Sequence, residues 1–129
     1  MEGSVAELDA LNWEKSVERN IKPVIVMFFS ENCSHCRTML PYFEKISFEF
    51  KEKTIFGRLN VNKNAWIGDR YGIMSVPTFK FFCGGKPVAE IVGAVNPDTL
   101  KKMIDNVIIH GKECLEKSSS IDYDVTGYA

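Results

Sequence analysis

Two cysteines separated by two residues, Cys33 and Cys36, are the side chains of this sequence with the clearest chemical potential. Ser34 and His35 stand between them, and Pro41 follows shortly afterwards. A pair with this spacing can supply half of a zinc site, close a small disulfide loop, or alternate between the dithiol and disulfide forms. In a reducing compartment, redox cycling or metal binding is favoured over a stabilising crosslink.

The elements expected around the pair place Cys33 at a reactive position. Residues 23–29 are almost all apolar and β-branched or aromatic, which predicts a strand buried on both faces. Apolar residues at helical spacing predict a helix from about Cys33 to Lys51, with Pro41 inside it. The amides and dipole at a helix start favour an anion. We therefore expect Cys33 to be the attacking thiolate and Cys36, further inside, to be the resolving thiol.

A metal site and a stabilising disulfide are the two alternatives. A zinc site needs four convergent ligands, and the nearest complement to the pair is His110 with Cys114. The last predicted helix would carry those residues about 21 Å away, to the opposite end of the domain. A four-residue loop constrains the unfolded chain little, which disfavours a purely stabilising bond. We predict neither a metal nor a cofactor.

Length and charge limit the class of protein. A chain of 129 residues suits one domain, which we assign to residues 1–117, followed by a mobile tail over residues 118–129. The net charge of −1 predicts no bulk attraction to nucleic acid or to anionic membranes. No apolar run is long enough to span a membrane, and the start lacks the pattern of a signal peptide. We expect a cytoplasmic monomer.

Local patterns predict the remaining elements. Gly84-Gly85 between two apolar runs predicts a hairpin, and Asn96-Pro97 predicts the start of the last helix, which Gly111 should end. The predicted strands are residues 4–11, 23–29, 55–61, 78–82 and 88–92, and the predicted helices are residues 12–20 with Asn12 as cap, 33–51, 65–71 and 97–110. This order predicts an α/β fold with a central mixed sheet of four or five strands, flanked by about four helices.

Several segments resemble the thioredoxin superfamily in its order and spacing. MFFSENCSHCRTMLP resembles the active-site segment, RLNVNKN the next strand, YGIMSVPT the loop before a cis-proline, and residues 81–93 the terminal hairpin and its glycine. The resemblance implies the thioredoxin fold and thiol–disulfide exchange with protein disulfides. It also implies that Pro77 is cis and faces Cys33, and that the Val76 backbone pairs with an extended substrate segment. Asn32 and Gly93 complete the implied contact surface.

Three departures from the family pattern bear on redox behaviour. Ser34-His35 replaces the Gly-Pro of typical thioredoxins, and His35 should stabilise the Cys33 thiolate and make the disulfide a better oxidant. Met27 stands where thioredoxins usually carry a buried acid that accepts the proton of the resolving cysteine. Asn32 replaces the family's tryptophan and gives partners a smaller, more polar contact.

The loss of the acid leaves the proton of Cys36 to water or to another group. Arg58 and Glu31 are candidates for that group, although ordinary surface charges are the simpler interpretation of both. The two further cysteines, Cys83 and Cys114, are expected at the end of the domain far from Cys33. There they could form a second disulfide, bind a metal loosely with His110, or stay inert.

The expected function is therefore protein-disulfide oxidoreductase, an enzyme that reduces client disulfides with electrons from a reductase. A more oxidising, isomerase-like exchanger is the alternative within the same class. A binding module, whose groove beside Pro77 recruits a client while the thiols do not turn over, is the alternative from another class.

Overall fold

The structure, a computed structural model, describes residues 4–110 and arranges them as five strands and four helical segments. In chain order these are β1 Val5–Leu8, a π-helical turn Glu14–Glu18, β2 Val24–Phe29, α1 Ser34–Phe50, β3 Ile55–Asn60, α2 Ala65–Arg70, β4 Thr78–Cys83, β5 Lys86–Val92 and α3 Pro97–Ile109. The alternation of strands and helices agrees with the sequence prediction.

The strands form one mixed sheet in the order β1-β3-β2-β4-β5. β1, β3 and β2 run parallel, whereas β4 pairs antiparallel with β2 and with β5. The predicted mixed sheet is confirmed, with five strands. Because β2 and β3 are parallel, the residues that follow them meet at one edge of the sheet, and the Cys33 segment lies at this edge.

Helices cover both faces of the sheet, and each face carries its own core. On one face the buried side chains are Ile25, Met27, Met39, Phe43, Ile46, Phe56, Phe79, Phe81, Leu100 and Ile104. On the other face they are Leu8, Trp13, Val17, Val24, Val26, Phe28, Leu59, Ile67 and Phe82. The residues of β2 alternate between the two cores, which explains why that strand is apolar throughout.

The segment after β1 differs from the prediction. A helix over residues 12–20 capped by Asn12 was expected, but the structure has a π-helical turn limited to Glu14–Glu18. The Asn12 side chain is used elsewhere, because its Oδ1 accepts from the Asp9 amide and its Nδ2 donates to the Glu7 carbonyl. A turn held by side chains has replaced the start of the predicted helix.

The later turns and caps follow the prediction closely. Gly84 and Gly85 both adopt positive φ values, 60° and 83°, in the hairpin between β4 and β5. Asn96 caps α3 by accepting a hydrogen bond from the Asp98 amide at 2.8 Å. Gly111, the predicted end of α3, and the predicted tail over residues 118–129 lie outside the described residues. None of the helices within residues 4–110 has the length and apolar character needed to cross a membrane.

Candidate active site

Cys33 is the N-cap residue of α1. Its backbone is extended, with φ −101° and ψ 109°, and its Sγ accepts a hydrogen bond from the Cys36 amide at 3.0 Å. The Cys33 carbonyl accepts the first helical bond, from the Arg37 amide at 3.2 Å. The sulfur therefore occupies the position where the helix start stabilises negative charge.

Cys33 and Cys36 are joined by a disulfide, and their Cα atoms are 5.2 Å apart. Cys36 is buried, with 3% of its surface exposed, while Cys33 is half-buried. The predicted difference in accessibility between the two cysteines is confirmed. A client disulfide can approach Cys33 directly, and Cys36 is within reach of the same sulfur from inside.

The loop before β4 faces the disulfide. The Val76–Pro77 peptide bond is cis, as the resemblance implied, and the Val76 carbonyl oxygen lies 3.7 Å from Cys33 Sγ. The Gly93 amide donates to the Pro77 carbonyl at 2.7 Å, which brings the end of β5 against this loop. Gly93 has a φ of 95°, a conformation that suits glycine, so the backbone there is free of side-chain bulk.

The chain neighbours of Cys33 are exposed to solvent. Asn32, Ser34 and His35 all lie at the surface, and among the described residues His35 has no hydrogen-bond or ion-pair partner. Met74, in the loop before Pro77, is 93% exposed. This methionine was not identified as a site residue from the sequence. Its position in YGIMSVPT, the segment that resembles the loop before the cis-proline, is the signal that could have found it.

A cavity of about 150 Å³ opens beside Cys36. It is lined by Met27, Phe29, Ser30, Glu31, Cys36, Arg37, Leu40 and Arg58. Both of the charged residues that the sequence suggested as partners for the Cys36 proton, Arg58 and Glu31, thus line the cavity beside Cys36. The signal that could have found Arg58 is strand register, because Met27 and Arg58 are paired across β2 and β3.

The second cysteine pair is only partly described. Cys83 is 1% exposed and is not a free thiol, and Cys114 lies outside the described residues. His110 ends α3, and its Nδ1 is 2.9 Å from the Asn106 carbonyl oxygen. Within residues 4–110, no three histidine, cysteine or acidic side chains converge as they would to hold a metal ion.

Comparison with known proteins agrees with this geometry. The family model for thioredoxin matches residues 4–106. Thioredoxin of Chlorobaculum thiosulfatiphilum is 33% identical over 106 residues, which is 82% of this chain and 98% of that protein. Thioredoxin of Buchnera aphidicola is 34% identical over 104 residues, or 81% of this chain and 96% of that protein. Chloroplastic thioredoxin M4 of Arabidopsis thaliana is 33% identical over 105 residues, and the chain spans 54% of its length.

The match covers most of the chain, includes the Cys33–Cys36 pair, and extends over nearly the full length of the two bacterial relatives. The helix-capping sulfur, the buried second cysteine and the facing cis-proline loop form a site for thiol–disulfide exchange. The chain belongs to the thioredoxin family and is a thiol–disulfide oxidoreductase that acts on protein disulfides.

Proposed function

We propose that this protein works as a reductase of client disulfides, with Cys33 as nucleophile and Cys36 as resolving cysteine. The observation that carries the proposal is the unequal burial of the two sulfurs at one helix start. The Cys36 amide points at Cys33 Sγ, so a thiolate at Cys33 would keep a hydrogen-bond donor at 3.0 Å. A charge-assisted bond of this kind favours ionisation of the attacking thiol.

The reaction has two exchange steps. In the first, the Cys33 thiolate attacks one sulfur of the client disulfide, and the other client sulfur leaves as a thiolate that takes a proton from solvent. In the second, Cys36 loses its proton and attacks Cys33 Sγ, which releases the remaining client sulfur as a thiolate. The client gains two electrons, and the protein is left as the Cys33–Cys36 disulfide. A reductase would then return it to the dithiol.

The client would bind along the loop before β4. We infer that an extended client segment pairs with the Val76 backbone, beside Pro77, and that Asn32 and Gly93 border it. The 3.7 Å separation between Cys33 Sγ and the Val76 carbonyl supports this arrangement, because a strand paired at Val76 would carry its own sulfur next to Cys33.

His35 would set the redox poise. Its ring is exposed and one residue from Cys36, at the positively polarised helix start. A protonated or donating imidazole would stabilise the Cys33 thiolate and so raise the reduction potential of the couple. The more oxidising, isomerase-like alternative rests on the same residue.

We further propose a cytoplasmic monomer that receives its electrons from a reductase, with one domain over residues 1–117. A reducing compartment is needed for the protein to act mainly as a dithiol. Two of the relatives are chloroplastic thioredoxins, and an organelle that keeps thiols reduced would satisfy the same condition.

Insulin reduction by dithiothreitol tests the function. The wild-type chain should accelerate precipitation of the insulin chains, whereas the Cys33→Ser/Cys36→Ser double variant should leave the uncatalysed rate unchanged. Equal rates with the two proteins would reject turnover. That result would favour the binding module, in which the thiols do not turn over.

A further inference from the structure

The cavity beside Cys36 is lined by the cation Arg58 and by one acid, Glu31, whose side chain is 61% exposed. Met27, which forms part of its wall, is 1% exposed and cannot accept a proton. Arg58 on β3 is the register partner of Met27 on β2, and its side chain is 33% exposed. An arginine keeps its charge under all physiological conditions, so it cannot serve as a proton acceptor for Cys36.

Two contacts hold Arg58 in this place. Its Nε donates to Glu7 Oε1 at 2.7 Å, and its guanidinium lies 5.3 Å from the centre of the Phe29 ring. Glu7 and Arg58 are register partners on β1 and β3, and Arg58 and Met27 on β3 and β2. The carboxylate that balances the arginine therefore lies one strand further out, on the side of Arg58 opposite to Met27.

We propose that Arg58 is a positioning residue for the resolving step, stabilising the thiolate of Cys36 electrostatically while water in the cavity takes its proton. The proposal rests on the assignment of Cys36 as the resolving thiol. When the client is held on Cys33, the Cys36 proton passes to cavity water and then to bulk solvent. The resulting thiolate attacks Cys33 Sγ, the client sulfur leaves with the bonding electrons, and it is protonated from solvent.

The other charged groups around Cys36 are less suited to this role. Glu31 lines the cavity with a carboxylate that is 61% exposed and lies 3.6 Å from Lys63 Nζ. Arg37 lines it as well, but it is exposed and donates to the Glu31 carbonyl at 3.2 Å. His35 is exposed on the first turn of α1. Solvent screens exposed charges, whereas the half-buried guanidinium of Arg58 acts through a less polar medium.

Among the described residues that line the cavity, no charged side chain comes from β2, from β4 or from the loop before β4. The electrostatic balance at Cys36 within the described residues thus depends on Arg58, with its partner Glu7, and on the exposed groups Glu31, Arg37 and His35. Burial of Cys36 disfavours its thiolate, and Arg58 acts in the opposite direction.

The test measures the pH midpoint of thiolate formation at Cys36 in the Cys33→Ser variant, from the ultraviolet absorbance of the thiolate. The Cys33→Ser/Cys36→Ser protein supplies the background from the remaining cysteines. Adding Arg58→Gln should raise the midpoint by about one pH unit, because the cation that favours the thiolate is gone. Arg58→Lys, which keeps the charge, should retain most of the original midpoint.

Lys80 provides a matched control. Its Nζ forms an ion pair with Glu90 Oε1 at 2.7 Å, the same separation as in the Arg58–Glu7 pair, but it does not line the cavity. Lys80→Gln should leave the midpoint unchanged, and Glu7→Gln should lower it, since the arginine loses its balancing carboxylate. An unshifted midpoint in Arg58→Gln, or an equal shift in Lys80→Gln or Arg37→Gln, would overturn the proposal.

A kinetic readout separates this proposal from the proposed function. With wild-type cysteines, Arg58→Gln should slow release of a client from the mixed disulfide about tenfold at neutral pH, matching the lower thiolate fraction. The slowing should disappear at a pH above both midpoints. If the wild-type protein released no client from the mixed disulfide, the resolving role of Cys36 would be contradicted. The pH midpoint of thiolate formation at Cys36 is measured without a client, so it tests the role of Arg58 alone.

Discussion

The starts of α1 and α3 have the same local architecture but different chemistry. Cys33 caps α1 with an extended backbone, and its Sγ accepts the Cys36 amide at 3.0 Å. Asn96 caps α3 with φ −60° and ψ 132°, and its Oδ1 accepts the Asp98 amide at 2.8 Å. Each side chain satisfies an amide that the helix itself leaves without a partner.

The difference lies in what the capping atom can become and in what faces it. The amide oxygen of Asn96 stays neutral, and the residue is exposed. The sulfur of Cys33 can ionise, is bonded to a second sulfur in the first turn of α1, and faces the Val76 carbonyl. A helix start thus stabilises structure in both places, and it becomes a reactive centre only where the cap is a sulfur with a second sulfur beneath it.

The largest expected effect comes from changing the capping sulfur to oxygen. Cys33→Ser should abolish catalysed insulin reduction while leaving the free energy of unfolding of the reduced protein nearly unchanged, because a serine hydroxyl also caps a helix. The Asn96→Ser variant, with the same kind of cap at α3, should keep full activity. Undiminished activity in Cys33→Ser would contradict the assignment of the nucleophile.

Removing the second sulfur should stop the reaction halfway. Cys36→Ser should accumulate a mixed disulfide between Cys33 and its client, since no internal thiol can displace it. Mass spectrometry of the trapped species should locate the link at Cys33, and dithiothreitol should release it. Failure of Cys36→Ser to trap any client, under conditions where the wild type turns over, would show that Cys36 is not the resolving thiol.

A smaller effect is expected from the residue between the cysteines. His35→Pro should lower the reduction potential of the couple by about 30 mV, which corresponds to about 1.4 kcal/mol. The reason is the loss of a group that stabilises the Cys33 thiolate and hence the dithiol form. Equilibration with glutathione buffers measures the potential; an equal or higher value would exclude this role of His35.

The smallest effect concerns the structural cap. Asn96→Ala should reduce the free energy of unfolding by about 1 kcal/mol, because the Asp98 amide loses its acceptor. The reduction potential should stay at the wild-type value, since α3 starts with no sulfur. Urea denaturation and the glutathione equilibrium measure the two quantities. A change of potential in Asn96→Ala would break the proposed separation between the two helix starts.

Local signals explain how much of the fold was predictable. The apolar run of β2, the glycines at 84 and 85 and the Asn96-Pro97 start of α3 all act within a few residues, and each prediction from them is confirmed. The prediction of a helix over residues 12–20 was wrong, because Asn12 hydrogen-bonds the backbone of Asp9 and Glu7 instead of capping a helix. Such side-chain competition is not visible in the periodicity of a sequence.

The active site was predictable where one element determines it and unpredictable where several meet. The burial difference between Cys33 and Cys36 follows from one helix turn, and the cis bond at Pro77 came from family resemblance. The cavity beside Cys36 depends on the packing of α1 against β2 and β3, so no local sequence pattern predicts it. The Arg58–Glu7 pair likewise depends on register between β1 and β3.

The central claim is that Cys33 and Cys36 form one two-electron couple that exchanges with external disulfides. Counting free thiols across a series of glutathione redox buffers tests it most directly. Two thiols of the wild type should disappear together, with a midpoint above about −270 mV, the reduction potential typical of thioredoxin. This transition should be absent from Cys33→Ser. Persistence of the same transition in Cys33→Ser, or no transition in the wild type, would contradict the account.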